Sequence, residues 1–123
     1  MTQRILLADD EAALRFLTSE TLADEGYQID EVEDGKAAID ALKSETYDLV
    51  ILDYMMPEFT GIEVCEWLRK SSGANGAVPV ILLTAKALDK DKEIARQAGV
   101  TAYIVKPFSP LQLIDTVNGL LSK

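Results

Sequence analysis

Three stretches of the chain are aliphatic almost without a break: Arg4-Ile5-Leu6-Leu7-Ala8, Asp48-Leu49-Val50-Ile51-Leu52 and Val78-Pro79-Val80-Ile81-Leu82-Leu83. A strand with one wet face alternates apolar and polar residues. These stretches do not alternate, so each is read as a parallel strand covered on both faces. Weaker strands fit at Tyr27 to Val32 and Thr101 to Val105. Amphipathic segments separate the five. In Glu11 to Glu25 the residues Leu14, Leu17, Thr18, Thr21 and Leu22 share a helical stripe, and Gly26 ends it. A second helix is expected over about Gly35 to Ser44, capped by Asp34, with Ala38, Ala41 and Leu42 inward. A third covers about Ile62 to Lys70 and presents Val64, Cys65 and Leu68, followed by a loop from Gly73 to Gly76. A fourth covers about Asp89 to Ala98 and stops at Gly99. The last starts with Ser109 as N-cap, Pro110 at the first helical position and Gln112 where a capping box places it. Its buried face is Leu113, Ile114, Val117, Leu120 and Leu121.

Strict strand–helix alternation predicts an α/β fold with a parallel sheet between two helical layers, and right-handed crossovers make it a doubly wound three-layer sandwich. For five such units the expected strand order is 2-1-3-4-5, which reverses between strands one and three. Ligands in such sheets bind at the carboxyl ends of the strands, at that reversal. The 123 residues form one domain, 1–123, and Lys123 follows closely on the last helix.

Strand one ends in Asp9-Asp10-Glu11 and strand three in Asp53, so this topology sends those acids into one crevice. Glu11 is accounted for as an acid favouring a helix N-terminus. Asp53 is not accounted for so simply, since it follows four apolar residues and precedes Tyr54-Met55-Met56-Pro57. Crowded carboxylates raise one another's pKa unless a cation joins them, and hard oxygen ligands suit Mg²⁺. Strands four and five end at the same edge, in Thr84-Ala85 and Lys106-Pro107. The plain alternatives are a structural threonine and a solvated lysine. Taken together, a carboxylate nucleophile, a Mg²⁺ cage, a hydroxyl and an ammonium suffice for phosphoryl transfer to Asp.

Composition closes off other chemistries. With 12 Lys and Arg against 21 Asp and Glu the net charge is -9, which repels nucleic-acid backbones and anionic lipid. The chain has no His, which removes His-based metal sites and imidazole bases. A single Cys, Cys65, excludes an internal disulfide. No apolar run approaches the about 20 residues of a membrane span, and no signal-peptide core is visible at the N-terminus. A cytoplasmic domain is the expectation.

These residues carry a resemblance. Asp9-Asp10, Asp53 with Met56-Pro57 and Gly61, Thr84-Ala85, and Lys106-Pro107-Phe108 resemble, in register and over nearly the whole chain, a bacterial two-component response-regulator receiver domain of the chemotaxis-regulator kind. The resemblance implies a flavodoxin-like (βα)5 fold with Asp53 as the phospho-acceptor. Asp9, Asp10, Asp53 and the Met55 backbone carbonyl would hold Mg²⁺. Lys106, the Thr84 hydroxyl and the Ala85 amide would bind the phosphoryl group. Tyr103 stands at the family's aromatic switch position, where the ring moves inward as Thr84 is drawn to the phosphate. Its ordinary reading, a half-buried strand aromatic, stays open. Met55 and Lys86, two places after Asp53 and Thr84, would border the attacking water and tune the phosphoryl lifetime.

Two departures stand out. Thr60 precedes Gly61 where the family often has Asp or Asn, and Thr101-Ala102 stand where receivers joined to winged-helix domains often carry an acid of a dimerisation face.

The implied partners are a histidine kinase or histidine phosphotransfer protein, docked on the helix-one side, and an unidentified output domain or target. The target would be read by the helix four, strand five, helix five face with Lys90, Lys92 and Arg96. A phosphorylation-dependent homodimer stays open. The chain would act only in its own phosphorylation and dephosphorylation, not as an enzyme on other substrates. Three alternatives remain. A degenerate receiver would dock partners without phosphorylation. A haloacid-dehalogenase-like phosphatase would need an Asp where Met55 stands. A flavodoxin-like carrier would need a phosphate-binding loop where Asp9-Asp10 stand.

Overall fold

The computed structural model describes residues 2–121, so Lys123 lies outside the described residues. Its elements alternate as β1 (Arg4–Ala8), α1 (Ala12–Ala23), β2 (Gln28–Val32), α2 (Gly35–Ser44), β3 (Leu49–Asp53), α3 (Gly61–Lys70), β4 (Val80–Thr84), α4 (Asp89–Ala98), β5 (Ala102–Val105) and α5 (Pro110–Leu121). All neighbouring strands are parallel, in the order β2-β1-β3-β4-β5. The two-residue period of a strand divides the core in two. Leu6, Ala8, Val50, Leu52, Val80 and Leu82 face Ala38, Leu42, Val64, Cys65, Leu68 and Ala95 on α2, α3 and α4. Ile5, Leu7, Leu49, Ile51, Ile81, Leu83 and Ile104 face Leu22 of α1 and Leu113 and Val117 of α5. β1, β3 and β4 are therefore apolar at every inner position, because both of their faces are covered. No helix among the described residues is long and apolar enough to cross a membrane.

The helix ends agree with the expected signals. The Asp34 side chain accepts from the Ala37 N–H at 2.7 Å, Ser109 Oγ accepts from the Gln112 N–H at 3.1 Å, and Gly99 closes α4 in the left-handed region at φ 96°. On α1 the expected stripe is rotated. Leu17 is 61% exposed, whereas Thr18, Ser19 and Leu22 are buried. The small Thr18 and Ser19 bring the helix close to its neighbours, and the longer Leu17 turns outward. The α5 face is narrower than expected, with Leu113 and Val117 buried and Ile114, Leu120 and Leu121 half-buried.

The loop after β3 is tied down at both ends. Gly61 N–H donates to the Tyr54 carbonyl at 2.9 Å, and Thr60 and Glu63 form a reciprocal capping box at the start of α3. A Cβ on Gly61 would lie 2.5 Å from the Asp53 carbonyl oxygen, so only glycine lets α3 start this close to the tip of β3. Gly61→Ala should therefore lower the unfolding free energy by about 1–3 kcal/mol, the usual cost of overpacking. Gly119→Ala on α5, where a Cβ meets nothing within 4 Å among the described residues, should be neutral or raise it by up to about 1 kcal/mol. Urea unfolding of the two variants measures both, and equal effects would contradict the close approach at Gly61.

Candidate functional site

The tips of β1 and β3 bring Asp9, Asp10 and Asp53 together, with one carboxylate oxygen of each within 4.8 Å of the others. Asp9 is 0% and Asp53 6% exposed, while Asp10 faces solvent. Asp53 is the last residue of β3, paired in register with Leu83, so its place is set by the sheet and not by a loop. Asp9 is fixed by its neighbours. Its Oδ1 accepts from the Glu11 N–H at 3.0 Å, and the Arg15 guanidinium donates to its carbonyl at 2.7 Å.

From the β5 tip, Lys106 Nζ reaches Asp53 Oδ1 at 2.6 Å. The Lys106–Pro107 peptide bond is cis. The Lys106 N–H also donates to the Thr84 carbonyl at 2.8 Å, which joins the ends of β4 and β5. Thr84 is 2% exposed and its hydroxyl accepts from the Lys86 N–H at 3.0 Å. Ala85 and Lys86 are exposed, and Met55 is 64% exposed beside the acids. Tyr103 is half-buried on the core side that faces α2, α3 and α4, and its hydroxyl donates to the Lys86 carbonyl. The structure thus places Asp9, Asp10, Asp53, Thr84 and Lys106 at one edge of the sheet, with Ala85, Lys86, Met55 and Tyr103 around them.

The electrostatics are unbalanced. Burial pushes the Asp53 carboxyl above its ordinary range, and the Lys106 ammonium draws it back. Burial also pushes Asp9 up, helped by the charge of Asp53 and countered by the Glu11 N–H. Three carboxylates against one ammonium leave two negative charges in excess. Asp9 Oδ2 is buried and has no hydrogen-bond partner among the described residues. A buried, unpartnered carboxylate oxygen in a doubly negative all-oxygen pocket fits a divalent hard cation.

Some contributors were not anticipated. Arg15 holds the Asp9 backbone and also pairs with Glu31 at 3.3 Å, although a guanidinium one turn into α1 carries no sequence signal of its role. An apolar groove of ≈ 410 Å³ lined by Leu14, Ala85, Lys106, Pro107 and Phe108 opens beside the acids. It leads on to Leu17, Thr18 and Thr21 of α1 and to Pro110.

The family profile described as "Response regulator receiver domain" matches residues 5–118. The chain is 43% identical over 120 residues to the transcriptional regulatory protein ResD of Bacillus subtilis, covering 98% of this chain and 48% of that protein. It is 39% identical over 123 residues to the DNA-binding response regulator MtrA of Mycobacterium tuberculosis, covering 100% of this chain and 52% of that one. The chain thus spans about half the length of these curated relatives. Among solved structures it is similar to the chemotaxis response regulator CheY4 of Vibrio cholerae, with TM-score 0.92 and 30% identity, over 98% of this chain and 99% of that one. It is also similar to the receiver domain of a sensor histidine kinase from Pseudomonas aeruginosa PAO1, solved with a magnesium ion coordinated in its active site cleft. That match has TM-score 0.89 and 31% identity over 100% of both chains.

The excess charge gives a sign to the pH response. The folded-state pKa of Asp9 lies above the unfolded one, so the folded protein binds that proton more tightly. The cost of the ionised form is fully present well above that pKa and is relieved as pH falls through it. Asp9→Asn in metal-free buffer should raise the unfolding free energy near neutral pH by about 1–3 kcal/mol, chiefly because no charge is then buried and secondly because the repulsion from Asp53 is removed. The gain should shrink as pH falls toward about 4. Urea unfolding across that range measures it, and a loss of stability at neutral pH would contradict the repulsive pocket.

Proposed function

Because the chain belongs to the response regulator receiver family and is a receiver domain of two-component signal transduction, we propose that Asp53 is the residue that accepts the phosphoryl group. One observation carries this reading. Asp53 is the buried carboxylate that touches the Lys106 ammonium at 2.6 Å and also shares an oxygen cluster with Asp9 and Asp10. Asp9, Asp10, Asp53 and the Met55 backbone carbonyl would hold Mg²⁺. Bound there, the ion supplies charge neutralisation for phosphoryl oxygens.

The rest falls to the chain's own groups. Asp53 Oδ attacks the phosphorus of the donor in line, its new bond to phosphorus forming as the donor's breaks. The Lys106 ammonium, already on Asp53, pairs with the incoming phosphoryl oxygens, and the Thr84 hydroxyl and Ala85 N–H donate to them. The Thr84 hydroxyl now accepts from the Lys86 N–H and also bonds the Tyr103 side chain, so turning its proton to the phosphoryl oxygens would exchange the Tyr103 contact for the new one. Movement of Thr84 and Lys86 reaches Tyr103, whose hydroxyl rests on the Lys86 carbonyl. The response is a bias on the α4, β5, α5 face, where Leu88, Ile94, Lys90, Lys92 and Arg96 are exposed. Met55 and Lys86 stand at the exposed mouth, as residues that tune the lifetime of the adduct would.

The chain contains no His, so the phosphohistidine comes from a partner kinase or phosphotransfer protein. The exposed Leu17 with Leu14, Pro107, Phe108 and Pro110 forms an apolar path from α1 to the acids, suited to such a donor helix. ResD and MtrA are about twice as long as this chain, and MtrA is described as DNA-binding. With a net charge of -9 this chain would regulate such an output and would not itself contact nucleic acid. The site would serve only its own phosphorylation and dephosphorylation, in the cytoplasm. The intact set of Asp9, Asp10, Asp53, Thr84 and Lys106 argues against a phosphorylation-independent docking module. Met55 argues against a haloacid-dehalogenase-like phosphatase.

Incubation with acetyl phosphate and Mg²⁺ should add one phosphoryl mass to the protein, and Asp53→Asn should abolish it. Intact-mass spectrometry decides this. A folded wild-type protein that gains no mass, or an Asp53→Asn variant that still does, would overturn the assignment.

A further inference from the structure

Tyr54 and Lys86 meet at the α4 side of the pocket mouth, with the Lys86 ammonium 4.7 Å from the centroid of the Tyr54 ring. The two partners differ in mobility. Tyr54 follows Asp53 directly, and its backbone is fixed on both sides. Its N–H donates to the Leu83 carbonyl at 2.8 Å and its carbonyl accepts from the Gly61 N–H at 2.9 Å. Its ring is half-buried against the core. Lys86 is exposed and lies between β4 and α4. Its main chain is tied to the pocket, the N–H donating to Thr84 Oγ and the carbonyl accepting from the Tyr103 hydroxyl. The long side chain has many rotamers, and the face of the fixed ring selects one direction for it.

We propose that Tyr54 is a positioning residue whose ring parks the Lys86 ammonium on the rim, off the phosphoryl group of Asp53 and out of the path of water. This rests on the reading of Asp53 as the acceptor. In hydrolysis of the adduct, a water oxygen bonds to phosphorus while the bond from phosphorus to Asp53 Oδ breaks. The electron pair of that bond stays on the carboxylate, and the water's proton passes to the phosphate product and solvent. An ammonium released from the ring pairs with the doubly charged phosphoryl oxygens and stands where that water must approach. Removing the ring therefore prolongs the adduct, and it does so only through Lys86.

The test uses wild type, Tyr54→Phe, Tyr54→Leu, Lys86→Met and the Tyr54→Leu/Lys86→Met double variant. Each is loaded with acetyl phosphate and Mg²⁺, freed of donor, and followed by intact mass. Separately, NMR of the unphosphorylated proteins reads the Lys86 Hε shifts, which the ring current of Tyr54 moves upfield. Wild type and Tyr54→Phe should share both the upfield shift and the decay rate. Tyr54→Leu should lose the shift and decay about two- to fivefold more slowly, the population change that an exposed cation–π contact supports. In the Lys86→Met background, Tyr54→Leu should make no further difference. A slow Tyr54→Leu adduct in that background, a Tyr54→Phe variant behaving like Tyr54→Leu, or equal decay in every variant would overturn the proposal while leaving the acceptor assignment intact. No adduct on wild type would overturn both. Should Tyr54→Leu not fold, wild-type Lys86 Hε shifts at random-coil positions would still overturn it.

Discussion

Like-charged oxygens held together against their own repulsion are the constraint on which the rest of this molecule depends. Asp9 and Asp53 are buried at the tips of adjacent strands, Asp10 stands beside them, and a single ammonium offsets the three. A folded chain tolerates such a cluster only if other interactions impose it. Here the two-sided core does so, because β1 and β3 are apolar on both faces and cannot slide without exposing Leu or Ile. The acids are carried at the tips of the fully buried central strands, and the unpartnered Asp9 Oδ2 marks where the cost of holding them together falls.

On the proposed reading, the same contacts would carry a charge event at Asp53 toward the α4, β5, α5 face. Lys106 links Asp53 to the end of β5, and its N–H links β5 to the end of β4. Thr84 is bonded to Lys86, and Lys86 to Tyr103, which packs against the α2, α3, α4 side of the sheet. The contacts of Lys106 and Thr84 lie at strand ends, and the last one joins Lys86 of the β4–α4 loop to Tyr103 within β5. The loop between β4 and α4 is exposed, so under the proposed switch a pull on Thr84 would move it before the buried sheet.

Much of this was legible in the residues, and the exceptions have physical reasons. The buried strands and the convergence of Asp9, Asp10, Asp53, Thr84 and Lys106 followed from continuous apolar runs and the switch-point rule, since both depend on burial and topology. The α1 face did not follow. A 3.6-residue stripe places Leu14, Leu17 and Thr18 together on paper, and only packing decides that Thr18 goes in and Leu17 out. Thr60 departs from the family's usual Asp or Asn before Gly61, and its capping-box spacing to Glu63, which the structure forms, is a signal that sequence reasoning missed. Arg15 and the Tyr54–Lys86 contact depend on rotamers across separate elements, which spacing along the chain does not encode.

The most direct measurement is a crystal structure grown with Mg²⁺ and beryllofluoride, a phosphoryl mimic. Beryllium should sit on Asp53 Oδ, the metal among Asp9, Asp10, Asp53 and the Met55 carbonyl, and Lys106 Nζ, Thr84 Oγ and the Ala85 N–H on the fluorines. Mimic or metal bound elsewhere, or Lys106 left on Asp53 with the pocket unchanged, would contradict this account.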